Sequence, residues 1–511
     1  MVSIRRQEPS WVDLTSNFNR TMKTIERILF ACTLVIFVAT GCDKFLETDP
    51  LFTQDAENYF TNPQDYDLAL IGAYDLLQGS FMNIWIGEIA SDNSIAGGES
   101  VTDTKGLHEI DEMTHGAVNT ELRSVFRWNY AGVTRTNYLL ENKDNIDFPG
   151  KDQIIAEAQF LRAYYYFQLV KYFGDVPLIV DKRLGVDEVA QLNRTPASTV
   201  YEQIEIDLIE SSQVLDWTNS VKGRVTKGAA LALLGKVYLY QNKFSESVST
   251  FDQVIESGNY ALITDYNALF SVGNEGHSET VFAIEYSGLE GGSYGCLICL
   301  EGNAAPGFHG IRQYDGPVYG DGNSYNLPTQ DLYNAFNSTD LRRDASILDI
   351  DAFVNSQSNP SEINYAIGGG GHTGYYNNKY IKRQGEIGLP DNDLTSPVNY
   401  IVIRYADVLL MAAEANSENG NSVKAQTYLN EVRTRAGLGS LSSTGDNLTR
   451  AIWQERRLEL SGEGHRFFDL VRTGQAATEI TNFIEGQHEL FPIPQIEIDL
   501  AGSSWDQNPN Y

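Results

Sequence analysis

The chain has 511 residues, 42% of them hydrophobic and 21% charged, which is the balance of a protein that folds in water and not of a disordered or membrane-spanning one. Its formal net charge of -31 repels a phosphate backbone over most of the surface, so nucleic acid is set aside as a partner. At roughly 100 to 200 residues per domain, this length accommodates two or three modules or one large one.

Residues 1–21 are polar and patternless. Met22-Lys-Thr-Ile-Glu-Arg27 then leads, as a short basic stretch, into the apolar run from Ile28 to Thr40. That run is a signal-peptide core, since at about 13 residues it falls short of the roughly 20 that cross a bilayer as a helix. It ends in Val38-Ala-Thr-Gly-Cys42, which resembles a bacterial lipobox, with Ala39 standing where such signals usually carry Leu or Val. The resemblance implies that residues 1–41 are an N-terminal extension and lipoprotein signal peptide and that Cys42, lipidated on its thiol, begins the mature chain 42–511. Several acyl chains are needed for a stable anchor, because one holds only marginally. An ordinary secretory signal with an incidental cysteine is the alternative.

Helical periodicity dominates the mature chain, and the fold class is mainly α: a tetratricopeptide-repeat-like helical scaffold over about 42–260 and 396–480. Between Asp152 and Tyr172, Leu161, Tyr164, Tyr165, Leu169 and Tyr172 fall on one helix face, with Gly174 and Pro177 as stop signals. From Lys227 to Tyr260, Leu231, Leu234, Gly235 and Tyr238 have the first-helix spacing of a tetratricopeptide repeat, with Ser247 and Phe251 at the small and aromatic positions of the second. Gly235 is expected to let the two helices approach closely. Leu409 and Ala413, the turn Asn419-Gly420, then Ala425, Leu429 and Val432 repeat the layout, and Ala156 to Val170 with Thr199 to Leu215 reads as another pair. One pair cannot bury its own apolar face, so several must stack.

Residues of about 261–395 change in character. From Ser287 to Pro328 the chain is rich in Gly, with Tyr294, Phe308, Tyr314, Tyr319 and Tyr325 spread through it, and Gly368 to Gly371 continue the theme. So long an irregular stretch inside a compact domain is functional or disordered, and its aromatic content argues against disorder. Cys296-Leu-Ile-Cys299 lacks the second ligand pair of a zinc site, so no metal and no cofactor are expected; it is a pair of small side chains or a local disulfide. No EF-hand-like run of calcium ligands occurs. In the tail, 481–511, Phe491-Pro-Ile-Pro494 must be extended, because each proline disfavours helix at the residue before it.

Five blocks carry a family likeness. Ala156-Glu-Ala-Gln-Phe-Leu-Arg-Ala-Tyr-Tyr-Tyr-Phe167 with Tyr172-Phe-Gly-Asp-Val-Pro177, Asn326-Leu-Pro-Thr-Gln-Asp-Leu332 with Arg342-Arg-Asp344, Ile403-Arg-Tyr-Ala-Asp-Val-Leu-Leu410, Gln454-Glu-Arg-Arg-Leu-Glu-Leu460 with Arg466-Phe-Phe-Asp-Leu470, and Leu490-Phe-Pro-Ile-Pro-Gln495 with Gln507-Asn-Pro-Asn-Tyr511 resemble, in order, the SusD/RagB nutrient-binding lipoproteins. Asn510 stands where that family usually has Gly, a mild departure because Asn tolerates the left-handed backbone. The resemblance implies a helical scaffold carrying an irregular, loop-rich ligand-binding insertion. It also implies an outer-membrane, surface-displayed protein and, as partner, a SusC-like TonB-dependent transporter barrel over which it sits as a lid.

A glycan offers apolar C–H faces and a fringe of hydroxyls, so its site wants exposed aromatic platforms flanked by polar groups that hydrogen-bond in pairs. Trp85, followed by Ser91-Asp-Asn93, meets the description. The family resemblance implies that ligand contacts come partly from this early loop and partly from the insertion, which gives the candidates Trp85, Asp92, Asn93, Tyr294, Tyr314 and Tyr319. The opposing reading buries Trp85 among Ile84, Ile86 and Ile89, since large aromatics are highly buried on average.

No catalytic residue is singled out. No HExxH spacing or GxSxG elbow occurs, and glycoside hydrolysis would need a carboxyl pair that nothing in the pattern selects. The run Glu463, His465, Arg466, Asp469 and Arg472 reads as helix-surface ion pairs on a solvated face. The function expected is therefore capture of a nutrient glycan without chemistry. A lipid-anchored glycoside hydrolase and a tetratricopeptide protein-binding scaffold are the alternatives.

Overall fold

A computed structural model describes residues 59–511 apart from 181, 186, 187, 189, 190, 298, 299, 387–393 and 503. The expected signal peptide, the expected lipidation site Cys42 and Cys299 lie outside the described residues. The main elements are helices α1 (Pro63–Asp75) and α2 (Phe81–Ile89), strand β1 (Ser94–Gly97), helices α3 (Thr120–Leu140), α4 (Lys151–Phe173), α5 (Ala197–Val214), α6 (Lys227–Tyr240) and α7 (Phe244–Glu256), strands β2 (Thr280–Ile284), β3 (Tyr325–Pro328), β4 (Ile347–Asp349), β5 (Tyr375–Asn377) and β6 (Tyr400–Arg404), and helices α8 (Tyr405–Glu418), α9 (Ser422–Arg435), α10 (Asp446–Glu459) and α11 (Arg466–Arg472).

The helices pair as their sequence spacing predicts. α4 packs on α5, α6 on α7 and α8 on α9, while α5 against α6 and α7 against α8 join the pairs into one stack. Gly235 does what its position suggested: a Cβ there would lie 2.6 Å from the Phe251 ring, and the Ser247 hydroxyl donates to the Gly235 carbonyl at 3.0 Å across the same contact. Thr226 and Asn421 accept from backbone N–H groups at the starts of α6 and α9, and Gly420 takes the left-handed turn between α8 and α9 at φ 81°.

The tyrosine-rich helix α4 differs from its one-faced pattern: Phe160, Tyr166 and Phe167 are buried as well as Tyr164, Tyr165 and Tyr172. A tyrosine tolerates such a place only if its hydroxyl finds a partner. Each does, in a different neighbour: Tyr165 donates to the Ala73 carbonyl (2.7 Å), Tyr166 to that of Ile179 (2.9 Å) and Tyr172 to Asn83 Oδ1 (3.0 Å), while Tyr164 meets Ser80 Oγ (3.1 Å). The helix is thus a central pin and not an amphipathic cover.

The irregular region has short strands and a core of its own. β1 pairs antiparallel with β3 and β2 with β6, which stitches the region to the helical scaffold at two places, and β4 pairs with β5 inside it. The run Gly368–Gly370 serves close approach: Gly369 N–H donates to the Glu99 carbonyl at 2.6 Å, and a Cβ at Gly368 or Gly370 would collide with the carbonyl of Gly98 or Gly97.

The charged run near the C-terminus is not a solvated helix surface. Glu463, Arg466 and most of Asp469 and Arg472 are covered, and Arg404 lies buried among Glu279, Glu459 and Glu463. Arg342 reaches Asp340, Glu455 and Glu459, and Lys379 reaches Glu463. The i, i+3 step is real, but it faces inward, because oppositely charged partners arrive from β6, α10 and the irregular region. The tail is extended over 491–494 and then forms a short helix, Gln495–Leu500. Phe491 N–H donates to the Tyr172 carbonyl (2.8 Å), His115 Nε2 meets the Tyr511 hydroxyl (2.9 Å), and Asn510 adopts φ 66°, left-handed as its glycine-like position requires.

Candidate functional site

A cleft of about 550 Å³ opens between α2, α3 and the irregular region. Phe81, Met82 and Trp85 form one wall from α2, Glu121, Ser124, Arg127 and Ala131 a second from α3, and Tyr294 to Leu297 the third. The α2 residues recur at i, i+1 and i+4, and those of α3 at i, i+3, i+6 and i+10, so each helix presents one stripe to the space. Asn119 fixes the start of α3, its side chain accepting from the Glu121 and Leu122 N–H groups at 3.1 Å each.

Trp85 is 3% exposed, and its ring meets Phe81, Phe308 and Tyr325 edge-on or tilted at 4.5 to 6.1 Å. It is therefore a wall of the cleft set in an aromatic cluster and not a free-standing platform. Its Nε1–H is buried with no hydrogen-bond partner, an expensive state for an indole. Tyr294 is 61% exposed and sits 6.5 Å, ring to ring, from the same Phe308. Cys296, beside it, is disulfide-bonded. Burial pushes the Glu121 carboxyl above its usual pKa, while Ser124 and Arg127 are exposed.

The other sequence candidates lie elsewhere. Asp92 is held by Arg466 through two hydrogen bonds (2.7 and 2.9 Å) and by Arg457 (2.8 Å). Asn93 is buried, donating to Glu88 Oε2 (3.2 Å) and accepting from Arg457 Nε (2.9 Å). Both are spent on internal partners and neither lines the cleft, whose polar lining comes from Glu121, Ser124 and Arg127. Tyr314 and Tyr319 are corrected: they pack in the core of the irregular region with Ile311, Leu327 and Tyr376, and a ring with both faces covered cannot stack on a sugar. The Tyr314 hydroxyl donates to the Pro317 carbonyl at 2.6 Å. The α3 residues escaped sequence reading, although the spacing of Ser124, Arg127 and Ala131 opposite buried Val125 and Trp128 marks an exposed helix stripe.

The cleft combines an apolar floor, one exposed tyrosine ring and a rim with a carboxyl, a hydroxyl and a guanidinium. Such a site can hold a ligand that is apolar on one face and hydroxylated at its edge. Among the described residues lining it, Glu121 is the single carboxylate.

Two family models match the chain, one described as "SusD family" over residues 278–489 and one as "Starch-binding associating with outer membrane" over residues 44–239. The fold is similar to that of a solved laminarin binding SusD-like protein, with a TM-score of 0.80 and 34% identity, covering 88% of this chain and 100% of the other. It is also similar to surface glycan-binding protein A from Bacteroides thetaiotaomicron in complex with laminarihexaose, with a TM-score of 0.79 and 26% identity over 88% and 100% of the two chains. SusD-like protein P2 of Formosa agariphila is 28% identical over 521 residues, 94% of this chain and 99% of that protein.

Proposed function

The chain belongs to the SusD/RagB family, and from that premise we propose that it is a surface lipoprotein of the outer membrane that binds a nutrient glycan and delivers it, unchanged, to a SusC-like TonB-dependent transporter. Laminarin is the first glycan to consider, on the strength of the 34% identical relative that is named for binding it. Cys42 would carry the lipid anchor.

One observation carries the reading: the aromatic wall of Phe81 and Trp85, the exposed Tyr294 ring and the polar Glu121, Ser124 and Arg127 side chains line one cleft of sugar-binding size. A sugar's C–H face stacks on the tyrosine, and its hydroxyls meet the polar groups of Glu121, Ser124 and Arg127. The lone carboxylate of the lining speaks for binding over hydrolysis, which needs a pair flanking the bond. One or two stacked rings at about 1 kcal/mol each, with a few hydrogen bonds of similar worth, give a Kd between about millimolar and micromolar. That suffices for a lid tethered to its transporter, where effective concentration is already high.

Calorimetry of the chain lacking residues 1–42 against laminarin oligosaccharides and a panel of other glycans tests the proposal. Heat of binding with the sugar recovered at its original length is expected. Shortened products would make the protein a hydrolase, and the absence of binding to every glycan would remove carbohydrate as its ligand. Recovery of a large barrel protein with the membrane-bound form tests the transporter.

A further inference from the structure

Behind the tyrosine-rich helix lies a second, small cavity of about 30 Å³, room for two waters or one monatomic anion. Two lysines line it, Lys171 in the last turn of α4 and Lys236 beside Gly235 in α6, together with Gln168, His465 and Phe468. In a chain of net charge -31, no carboxylate lines this space.

The charges around it do not balance. Arg456 pairs with Asp407 and Asp469, Arg472 with Asp469 and Glu414, and Lys236 with Asp407 at 3.4 Å. With Lys171, four cations face three carboxylates. Lys171 is the cation left over: among the described residues it has no ion-pair partner, and its ammonium instead lies over the Phe468 ring, 3.9 Å from the centroid, with the rings of Tyr172 and Phe167 beyond. The Gln168 side chain lines the same cavity, buried with Oε1 unpartnered, and its amide carries two N–H donors. His465 Nδ1 lies 3.4 Å from Lys236 Nζ.

We propose that this cavity is a binding site for one small monovalent anion, chloride in a saline medium, held between the Lys171 and Lys236 ammonium groups and the Gln168 amide. The anion is the fourth negative charge of the cluster. It locks α4 to α6 and to the segment entering α11, independently of the glycan cleft. Without it, burial and the neighbouring Lys236 hold the Lys171 pKa well below the usual lysine value, so the amine is driven toward its neutral form.

The test compares thermal unfolding of the purified protein in sodium chloride and in sodium gluconate at equal ionic strength, since gluconate is too large for the cavity. The midpoint is expected to rise by about 1.5 °C for each tenfold increase of chloride above its Kd, and not with gluconate. Lys171→Met, which keeps the chain length and removes the charge, is expected to abolish the difference. Crystals of the unaltered protein in sodium bromide give a readout that does not depend on a variant folding: an anomalous peak between the two lysines is expected. Equal midpoints in both salts, or only water between the lysines in bromide, would overturn the proposal.

Discussion

Arg404 and Glu463 are joined by two hydrogen bonds, Nε to Oε2 and Nη2 to Oε1, each 2.9 Å, with both side chains buried. Lys379 of the irregular region reaches the same carboxylate at 2.7 Å, so this residue, just beyond α10, binds a strand and a loop at once. Burial pushes the Glu463 carboxyl up, but Arg404 and Lys379 outweigh it and its pKa is lowered. Glu463→Gln leaves two buried cations facing a neutral amide, and a loss of about 3 to 5 kcal/mol is expected in urea unfolding at pH 7. Because the folded pKa is depressed, this stabilisation is full above the ordinary carboxylate range and fades as pH falls through the folded value. The variant should therefore lose less than the parent on acidification.

Gly235→Ala should destabilise the helix stack. The added methyl enters the Phe251 ring, which is fully buried and has no free end to swing aside. Overpacking of this kind costs about 1 to 3 kcal/mol, and the gain in helix propensity recovers at most about 1 kcal/mol. Thermal unfolding followed by far-UV circular dichroism checks the sign. An unchanged or raised midpoint would mean that α6 and α7 can part without penalty.

The stack was legible in the sequence because a repeat writes its packing into one chain segment: Leu231, Leu234, Gly235, Ser247 and Phe251 lie within one hairpin. Helix α4 was only half legible, since from Phe160 to Val170 it is buried on every side and shows no polar face there to give its period away. The cleft was least legible. Tyr314 and Tyr319 have the composition of a sugar platform, but they sit in the core because a segment of this length needs apolar anchors of its own. The polar rim comes from α3, whose residues are distant in sequence from both Trp85 and Tyr294. The run from Glu463 to Arg472 misled for a related reason: i, i+3 spacing reports which side chains share a face, not whether that face meets water.

His115 gives a pH dependence of known sign. Its ring is buried between His488, Phe491 and Tyr511, and burial with the nearby His488 lowers its pKa to about 4. Between the ordinary histidine value of about 6.5 and this one, the unfolded chain binds a proton that the folded chain refuses, so stability falls with pH by up to about 1.4 kcal/mol per unit. Asp111, raised by burial to about 6, works in the opposite sense, but it does so in variant and parent alike. His115→Phe is expected to be slightly less stable at pH 7, having lost the Tyr511 contact, and to show a shallower slope between pH 6.5 and 4. Urea midpoints across that range check it, and parallel slopes would remove His115 as the source.

Cys42→Ala tests the proposed anchor. The variant is expected in the soluble fraction after cell breakage, while the unaltered protein sediments with membranes and is released by detergent. Retention of the variant in the membrane fraction would show that something other than lipid holds it.

Trp85→Phe and Tyr294→Ala separate the two halves of the cleft. Trp85 is part of an aromatic cluster, so truncating it to Ala would cost about 3 to 5 kcal/mol of stability and confuse binding with folding. Phe keeps most of the ring and removes the Nε1–H, which has no internal partner to lose. The variant should be as stable as the parent or more so, because an unsatisfied buried donor is gone, and should bind glycan as the parent does, because that donor is enclosed away from the cleft. Tyr294→Ala removes an exposed ring, so it should leave the unfolding midpoint nearly unchanged and weaken binding by about fivefold through lost stacking. Calorimetry of both variants and their double checks the assignment. If Tyr294→Ala binds as the parent does, the glycan lies somewhere other than this cleft.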